Sequence, residues 1–241
     1  MTDGDALHAA ILAAPDDDTP RLVYADWLQE NDRPERAEFI RLQIAMARLM
    51  PHELVAWNMR AIEMQASEKA LLATHGEEWL APLRAKGEPF QSTVTHGQFC
   101  RGFVEIVWMP ATWFRARAEV TFQRIPVREL RVTQTTEAEF GGLMEYPLLG
   151  RLRGLDLSDR RLGDRAAGLL AWSPFTGSLR VLRLRGCGIT DSGAHQLTEA
   201  DFGGSLLELD VSHNPISRAG VAALRDRFGD AVHAAGMEWT G

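Results

Sequence analysis

The amino-acid sequence predicts an α/β fold: a solenoid with parallel strands inside and helices outside, preceded by an all-α N-terminal domain. Two observations predict it. Up to about residue 85, apolar side chains recur at every third or fourth position, which is the period of an amphipathic helix. From about residue 98, short β-type segments alternate with stretches rich in alanine, glycine and leucine, and these segments recur at a regular spacing.

The β-type segments follow one template, Leu-x-x-Leu-x-Leu, with apolar residues at positions one, four and six. Its last three copies begin at Leu152, Leu179 and Leu206, and two earlier copies begin at Val104 and Val127. A period in the twenties with this template is typical of a leucine-rich-repeat solenoid, in which neighbouring units stack because no single unit can bury its apolar side chains. We therefore predict about five coils, with parallel strands centred near Val107, Leu130, Leu155, Leu182 and Leu209.

The sequence divides into two predicted domains. Residues 1–88 are expected to form the helical domain, and residues 98–241 the leucine-rich-repeat solenoid. The junction is expected between Pro82 and Ser92, where glycine and proline interrupt both periodicities. Residues 231–233 are expected to form a terminal capping strand, because a bare solenoid end would leave its core facing water.

Prolines and glycines mark the expected helix ends in the N-terminal domain. Thr19 is expected as an N-cap with Pro20 at the first helical position, where the missing N–H of proline costs nothing. The longest helix is expected over 52–74. His75-Gly76 is expected to end it, and a short helix is expected to follow.

One segment of the repeats, LRLRGCGITDSG at 182–193, resembles the ribonuclease-inhibitor-like class of leucine-rich repeats. In that class a cysteine or asparagine between strand and helix hydrogen-bonds the turning backbone, and Cys187 and Asn214 take this place here. Arg160 and Thr135 take it in the earlier coils. This departure indicates that those turns are built differently.

The N-terminal residues resemble another family. The segments DDDTPRLVYADWL at 16–28 and RAEFIRLQ at 36–43 are similar to the bacterial repeat-companion domain, a small domain that typically precedes repeat arrays. The passage RGFVE at 101–105 is like the entry into the repeats of such proteins. The resemblance implies an architecture and no mechanism.

Composition excludes several function classes. The net charge is −7 and the isoelectric point about 5.5, which argues against nucleic acid as the main partner, because phosphate binding needs a basic face. No apolar run reaches the ~20 residues of a membrane span, and the acidic N-terminus is unlike an export signal. Cys100 and Cys187 are far apart in the sequence, so we expect reduced cysteines and a cytoplasmic protein.

The sequence lacks the common catalytic and metal-binding motifs. No two histidines are spaced i, i+4, and no nucleophile elbow or phosphate loop occurs. The run from Asp16 to Asp18 lacks the alternating ligands and distal glutamate of a calcium loop, and an acidic helix N-terminus explains it better. We expect no enzyme activity, no metal and no cofactor. A nucleophile assembled in space would leave a hydrolase as the least favoured alternative.

Tyr24, Asp26 and Trp27 lie within one helical turn and allow two interpretations. They either form a recognition patch or are packing residues, with Trp27 in the core. Packing is favoured, because aromatic residues at helical spacing usually pack. In that case Asp26 pairs with one of three arginines: Arg21, Arg36 or Arg41.

The fifth position of each strand segment points away from the core and is aromatic or charged in every coil: Trp108, Arg131, Asp156, Arg183 and Asp210. These five positions are termed the outward face, which the curvature of a solenoid would make concave. Strands in a sheet lie ~4.8 Å apart, so the four charged residues are expected to form a ladder of alternating sign. Arg185, with Arg180 and Arg183, adds a local basic cluster.

The outward face again allows two interpretations, and both can hold. Its charges either satisfy one another and keep the strands in register, or form a docking surface with Trp108 as an aromatic anchor. Arginine and tryptophan are enriched at binding hot spots, which favours docking. The expected partner-binding residues are the outward face and one neighbour, Arg185. The helical domain offers a competing surface around Arg41, Arg48 and Arg60.

The sequence therefore predicts a protein-binding adaptor or scaffold that recognises a protein partner through the outward face of the repeats. The alternative is a regulator that inhibits an enzyme by occlusion, which the ribonuclease-inhibitor resemblance would allow. We expect a monomer or a subunit of a hetero-complex, with no membrane and no nucleic-acid partner.

Overall fold

The computed structural model describes residues 2–49, 58–80, 96–202, 204 and 206–236. The chain forms two compact units. The first comprises Met1–Ile106 and Val120–Val127, and the second comprises Val107–Glu119 and Arg128–Gly241. The predicted junction lies wholly outside the described residues, and the predicted domain limits stay predictions.

The first unit contains four described helices: α1 (Asp3–Ala13), α2 (Thr19–Glu30), α3 (Pro34–Ala47) and α4 (Met59–Leu80). It also contains strand β1 (His96–Cys100) and the first part of β2 (Phe103–Met109). The turn between the strands, Arg101-Gly102, has φ angles of 49° and 88°, as in a tight β-hairpin. Because strand residue Phe103 packs in the same core as Ile11, Leu28 and Ile40, an all-α unit is not confirmed.

Two helix ends differ from the predicted ones. Thr19 is the first residue of α2 and not its N-cap, and its N–H donates to Asp17 Oδ1 at 2.8 Å. Helix α4 continues through Gly76 to Leu80. Tertiary packing explains the continuation: Gly76 is buried, and the Trp79 ring beyond it packs against the rings of Phe39 and Phe99, with centroid distances of 4.7 and 6.4 Å.

A buried ion-pair network ties the hairpin to the helices of the first unit. Arg21 is fully buried, and its Nη2 lies 2.8 Å from Glu105 Oε1 on β2. Arg101 Nη2 donates to the other oxygen of the same carboxylate at 2.9 Å. Asp26 instead pairs with Arg41, at 2.7 Å on the surface. Asp26 therefore pairs with Arg41, one of the three arginines that the packing interpretation names. Arg21, another of the three, pairs with the buried Glu105 instead.

The second unit repeats a strand-then-helix pattern. After α5 (Ala111–Phe122) come β3 (Glu129–Val132), α6 (Glu137–Met144), a 3₁₀ turn (Pro147–Arg151), β4 (Gly154–Asp156), α7 (Gly163–Trp172), β5 (Val181–Arg183), α8 (Asp191–Thr198), β6 (Glu208–Asp210), α9 (Arg218–Phe228) and β7 (Val232–His233). Strands β3 to β7 are parallel and pair in sequence order. The register aligns Leu130, Leu155, Leu182, Leu209 and Val232. The five predicted strand centres all lie in strands, and β7 lies within residues 231–233, while the number of coils and the capping role of the last strand stay predictions.

Stacked apolar side chains form the core of the repeats, as the template predicts. Leu155, Leu182 and Leu209 are fully buried at position four, and the residues at positions one and six are buried in nearly every coil. Leu206, at position one of the last coil, is half-buried. On the helical side, α7 packs on α8 and α8 on α9. Neighbouring coils therefore bury what a single coil would expose.

Polar side chains after the strands hydrogen-bond carbonyl oxygens of the preceding coil. Cys187 Sγ donates to one at 3.1 Å, and Asn214 Nδ2 to one at 2.7 Å. Arg160 Nη1 likewise donates to a carbonyl oxygen of the preceding coil, that of Thr133, at 2.5 Å. Thr135 departs, since its hydroxyl donates to the carbonyl oxygen of the next residue. The turn with Arg160 therefore keeps the cross-coil bond despite its different residue.

Candidate functional site

The structure brings the charged residues of the outward face side by side. The strand pairing aligns Arg131 with Asp156, Asp156 with Arg183, and Arg183 with Asp210. All four are half-buried, as is Trp108. Arg185, the sixth predicted site residue, lies two positions beyond the end of β5 and is exposed.

Arg183 is bound to two glutamates of the same unit. Its Nε and Nη2 donate to the two carboxylate oxygens of Glu208, at 2.7 and 3.1 Å. Its Nη1 donates to Glu129 Oε1 at 2.9 Å. Burial alone would lower the pKa of Arg183, but the hydrogen bond to Glu208 and the two carboxylate charges raise it above its ordinary value. The guanidinium thus has its principal donors engaged within the chain.

Glu129 reaches Arg183 across an intervening strand, because that strand carries a glycine. A Cβ atom on Gly154 would lie only 2.8 Å from Glu129 Cγ, so the glutamate side chain lies directly over the glycine. The same carboxylate oxygen also accepts a hydrogen bond from Arg131 Nε at 2.6 Å. Arg131 in turn lies over the Trp108 ring, with its Cζ 4.6 Å from the ring centroid. One chain of contacts therefore links four strands.

The strand register contains the predicted ladder of alternating sign, but its arginines hydrogen-bond glutamates and not the aspartates of the ladder. The closest contact between an arginine and an aspartate of the ladder joins Arg131 Nε and Asp156 Oδ2 at 3.9 Å, a distance too long for a hydrogen bond. Glutamates at position three of the strands take the place of the aspartates, because position three shares a face with position five and glutamate is longer. Glu129 and Glu208 are the site residues that sequence reasoning missed, although the period-two pattern marks both positions.

The aspartates keep acceptor capacity on the outward face. Asp156 Oδ1 accepts from the N–H of Ser158 at 2.9 Å. Asp210 Oδ1 accepts from the N–H and the hydroxyl of Ser212, at 2.9 and 2.5 Å. Within the part of the chain that the structure describes, Asp210 Oδ2 accepts no hydrogen bond, and Asp156 Oδ2 has only the long contact to Arg131.

The acidic run of the first unit is engaged by arginines. Asp18 lies 3.0 Å from Arg48 Nη2 and 3.4 Å from Arg101 Nη1, while Asp17 Oδ1 accepts a hydrogen bond from the N–H of Thr19. Among the described residues, no group of three or more histidine, cysteine, aspartate or glutamate side chains could hold a metal ion. Two members of the competing helical surface, Arg41 and Arg48, are thus already paired with carboxylates.

Neither cysteine forms a disulfide. Burial raises the pKa of the Cys187 thiol to about 12, so the thiolate that would act as a nucleophile is scarce at neutral pH. The thiol instead serves the cross-coil hydrogen bond described above.

Comparison with known families agrees with this geometry. A Leucine Rich repeat family model matches residues 178–196 and 205–224, which begin at β5 and β6 and run into the helices that follow. These two matches support leucine-rich repeats in this part of the chain. Such repeats are commonly protein-interaction modules. No curated protein matches the chain. The resemblance of the N-terminal residues to the bacterial repeat-companion domain stays a prediction.

None of the described helices is both long enough and apolar enough to cross a bilayer.

Proposed function

We propose that this protein is a protein-binding adaptor or scaffold, and that the outward face of its repeats recognises a basic segment of a protein partner. The proposal includes no catalysis and no cofactor. It places the partner-binding residues on the strands, as predicted from the sequence, and changes the emphasis among them from the arginines to the aspartates.

The observation that carries this proposal is a difference in hydrogen bonding on the outward face: Arg183 is bound within the chain, whereas Asp210 is bound only in part. Arg183 is hydrogen-bonded to Glu129 and Glu208, so a partner would have to break existing ion pairs in order to use it. Asp210 has an oxygen atom without a hydrogen-bond partner among the described residues. A lysine or arginine of a partner could engage that atom without disrupting the sheet.

The charge balance of the face points to the same kind of partner. The four charged residues of the outward face, together with Arg185 and the glutamates at position three, are three arginines and four acidic residues: Arg131, Arg183, Arg185, Glu129, Glu208, Asp156 and Asp210. The surplus is negative, as is the net charge of the chain, −7. Complementary charge speeds association with a basic partner and disfavours polyanions such as nucleic acid. Trp108 adds an aromatic surface beside the charges.

Selection from a random peptide library displayed on phage tests this proposal. Wild-type protein should enrich peptides rich in lysine and arginine, and the double variant Asp156→Asn, Asp210→Asn should lose that enrichment. The matched control replaces the competing surface, with Arg41, Arg48 and Arg60 changed to glutamine. Enrichment of acidic peptides, or loss of binding only in this control, would refute the outward face as the binding site.

A further inference from the structure

The first unit contains a cleft of about 550 Å³ that the function of the repeats does not use. This volume is within the range of small-molecule sites. Its walls include seven aromatic or imidazole rings, listed here from α1 to β2: His8, Tyr24, Trp27, His75, Trp79, Phe99 and Phe103. One arginine, Arg36 of α3, lies among these rings and also lines the cleft.

Arg36 is surrounded by aromatic rings and lacks a carboxylate partner among the described residues. Its Cζ lies 4.7 Å from the centroid of the Trp79 ring and 5.4 Å from each of three phenylalanine rings: Phe39, Phe99 and Phe103. Its Nη2 donates to the carbonyl oxygen of Gly102. Cation–π contacts of this kind stabilise a guanidinium without neutralising its charge.

The guanidinium also has an unused donor. Arg36 Nη1 has less than 1 Å² of exposed surface and no hydrogen-bond partner within the described residues. A buried donor left unpaired is unfavourable, so an acceptor that reaches it binds more favourably than it would at an exposed arginine. Burial lowers the pKa of Arg36 to about 10, which still leaves the side chain charged at neutral pH.

The other charges of the cleft restrict the anion that fits. Its lining carries four carboxylates against two further arginines: Asp5, Asp32, Glu35, Glu78, Arg33 and Arg124. A doubly charged phosphate would be repelled by this acidic rim more strongly than a singly charged carboxylate. The aromatic walls favour a ligand whose carboxylate is attached to a flat apolar body.

We propose that the cleft is a binding site for a small aromatic carboxylate, whose carboxylate pairs with Arg36 and whose ring packs against the aromatic walls. Because Nη1 is covered, the ligand reaches it only when a neighbouring ring moves, and the Trp79 ring is the nearest. Binding should therefore change the tryptophan fluorescence. The proposal is independent of partner binding by the repeats.

Three probes that share a phenyl ring test the proposal on the wild-type chain. These are phenylacetate, its neutral amide phenylacetamide, and phenyl phosphate, titrated by ligand-observed NMR saturation transfer and by tryptophan fluorescence. Phenylacetate should bind about ten-fold more tightly than the amide, as expected for a charged hydrogen bond to a buried donor. Equal binding of acid and amide would overturn the proposal, and tighter binding of phenyl phosphate would show a phosphate site instead.

Two neighbouring arginines of the same cleft give a matched pair of variants. Arg36→Gln should weaken phenylacetate binding about ten-fold and leave phenylacetamide binding unchanged. Arg33→Gln removes an exposed cation from the same cleft and should change phenylacetate binding less than about two-fold, since exposed charges are screened. Equal losses in both variants would mean that only the overall charge of the cleft matters. If Arg36→Gln does not fold, the comparison of acid and amide on the wild type still decides.

Discussion

Two arginines, one in each unit, show opposite ways of holding a partly buried guanidinium. In the repeats, Arg183 is bound by Glu129 and Glu208 at distances of 2.7 to 3.1 Å. In the first unit, Arg36 is held by aromatic rings and one carbonyl oxygen. Each guanidinium nitrogen of the first arginine donates a hydrogen bond to a glutamate. The second keeps a donor that only a further group can satisfy.

The contrast teaches that residue type alone does not identify a binding residue. Arginine is enriched at interfaces, and this enrichment led the sequence interpretation to Arg183. The structure shows that Arg183 is already paired, while Asp210 Oδ2 on the next strand accepts no hydrogen bond within the described residues. What a surface can bind depends on which of its polar atoms remain unsatisfied after folding.

The largest expected effect tests whether the stacked core holds the outward face in place. Leu182→Asp would bury a carboxylate among leucines, and we expect the repeats to lose several kcal/mol of stability or to fail to fold. The control is Leu207→Asp in the next coil, where the side chain is 71% exposed and the change should be within about 0.5 kcal/mol. Denaturant unfolding measures both. Equal losses of stability in the two variants would contradict the repeat register, which buries Leu182 and exposes Leu207.

The next test compares a buried and an exposed arginine of the first unit. Arg21→Met removes one of the two arginines that pair with the buried carboxylate of Glu105 and should cost about 3–5 kcal/mol of unfolding free energy. Arg41→Met breaks the surface pair with Asp26 and should cost less than about 1 kcal/mol. Urea titration measures the unfolding free energy of both variants. Similar losses in the two would contradict the buried ion-pair network.

A smaller effect is expected where Glu129 crosses Gly154. Gly154→Ala should destabilise the repeats by about 1 kcal/mol, because the new methyl group displaces the glutamate from its arginines. In the background of Glu129→Ala the same change should become neutral or slightly stabilising, since alanine restricts the unfolded chain more than glycine does. Additive effects in this double-mutant cycle would show that the glycine has no part in the ion-pair network.

The smallest effect concerns a neighbour of Arg36. Burial and the charge of Arg36 lower the pKa of His8 below 6.5, so the fold favours the neutral imidazole. This contribution to stability is present above pH 6.5 and is lost as the pH falls below it, because the unfolded histidine then takes up a proton more readily. Thermal unfolding of wild type and His8→Gln should therefore diverge across this range, with the wild type losing more stability on acidification. Parallel plots of melting temperature against pH would show that neither burial nor the charge of Arg36 lowers the pKa of His8.

Much of the repeat fold was predictable because a short template recurs along the chain. Leu130, Leu155, Leu182 and Leu209 are aligned because only one strand register buries all four side chains. The continuation of α4 through Gly76 was not predictable, since the packing that overrides the glycine comes from distant residues.

The candidate sites were only partly predictable, for a related reason. The strand alternation gives the side on which Arg131 and Arg183 lie, but not that a glutamate would reach both across Gly154. The rings around Arg36 include Trp79 and Phe99, which come from other elements of the chain and share no local period with it. Sequence patterns give the face on which a residue lies, and tertiary contacts decide which of its atoms are already used.

The central claim is that unsatisfied carboxylates bind the partner while paired ones position the sheet. Two residues of β6 test it most directly: Asp210→Asn and Glu208→Gln remove the same charge from the same face. Affinity for the best lysine-rich peptide should fall about ten-fold for Asp210→Asn, because a charged hydrogen bond is lost. It should change less than about two-fold for Glu208→Gln, whose carboxylate is already bound to Arg183. An unchanged affinity in Asp210→Asn together with a ten-fold loss in Glu208→Gln would contradict the account.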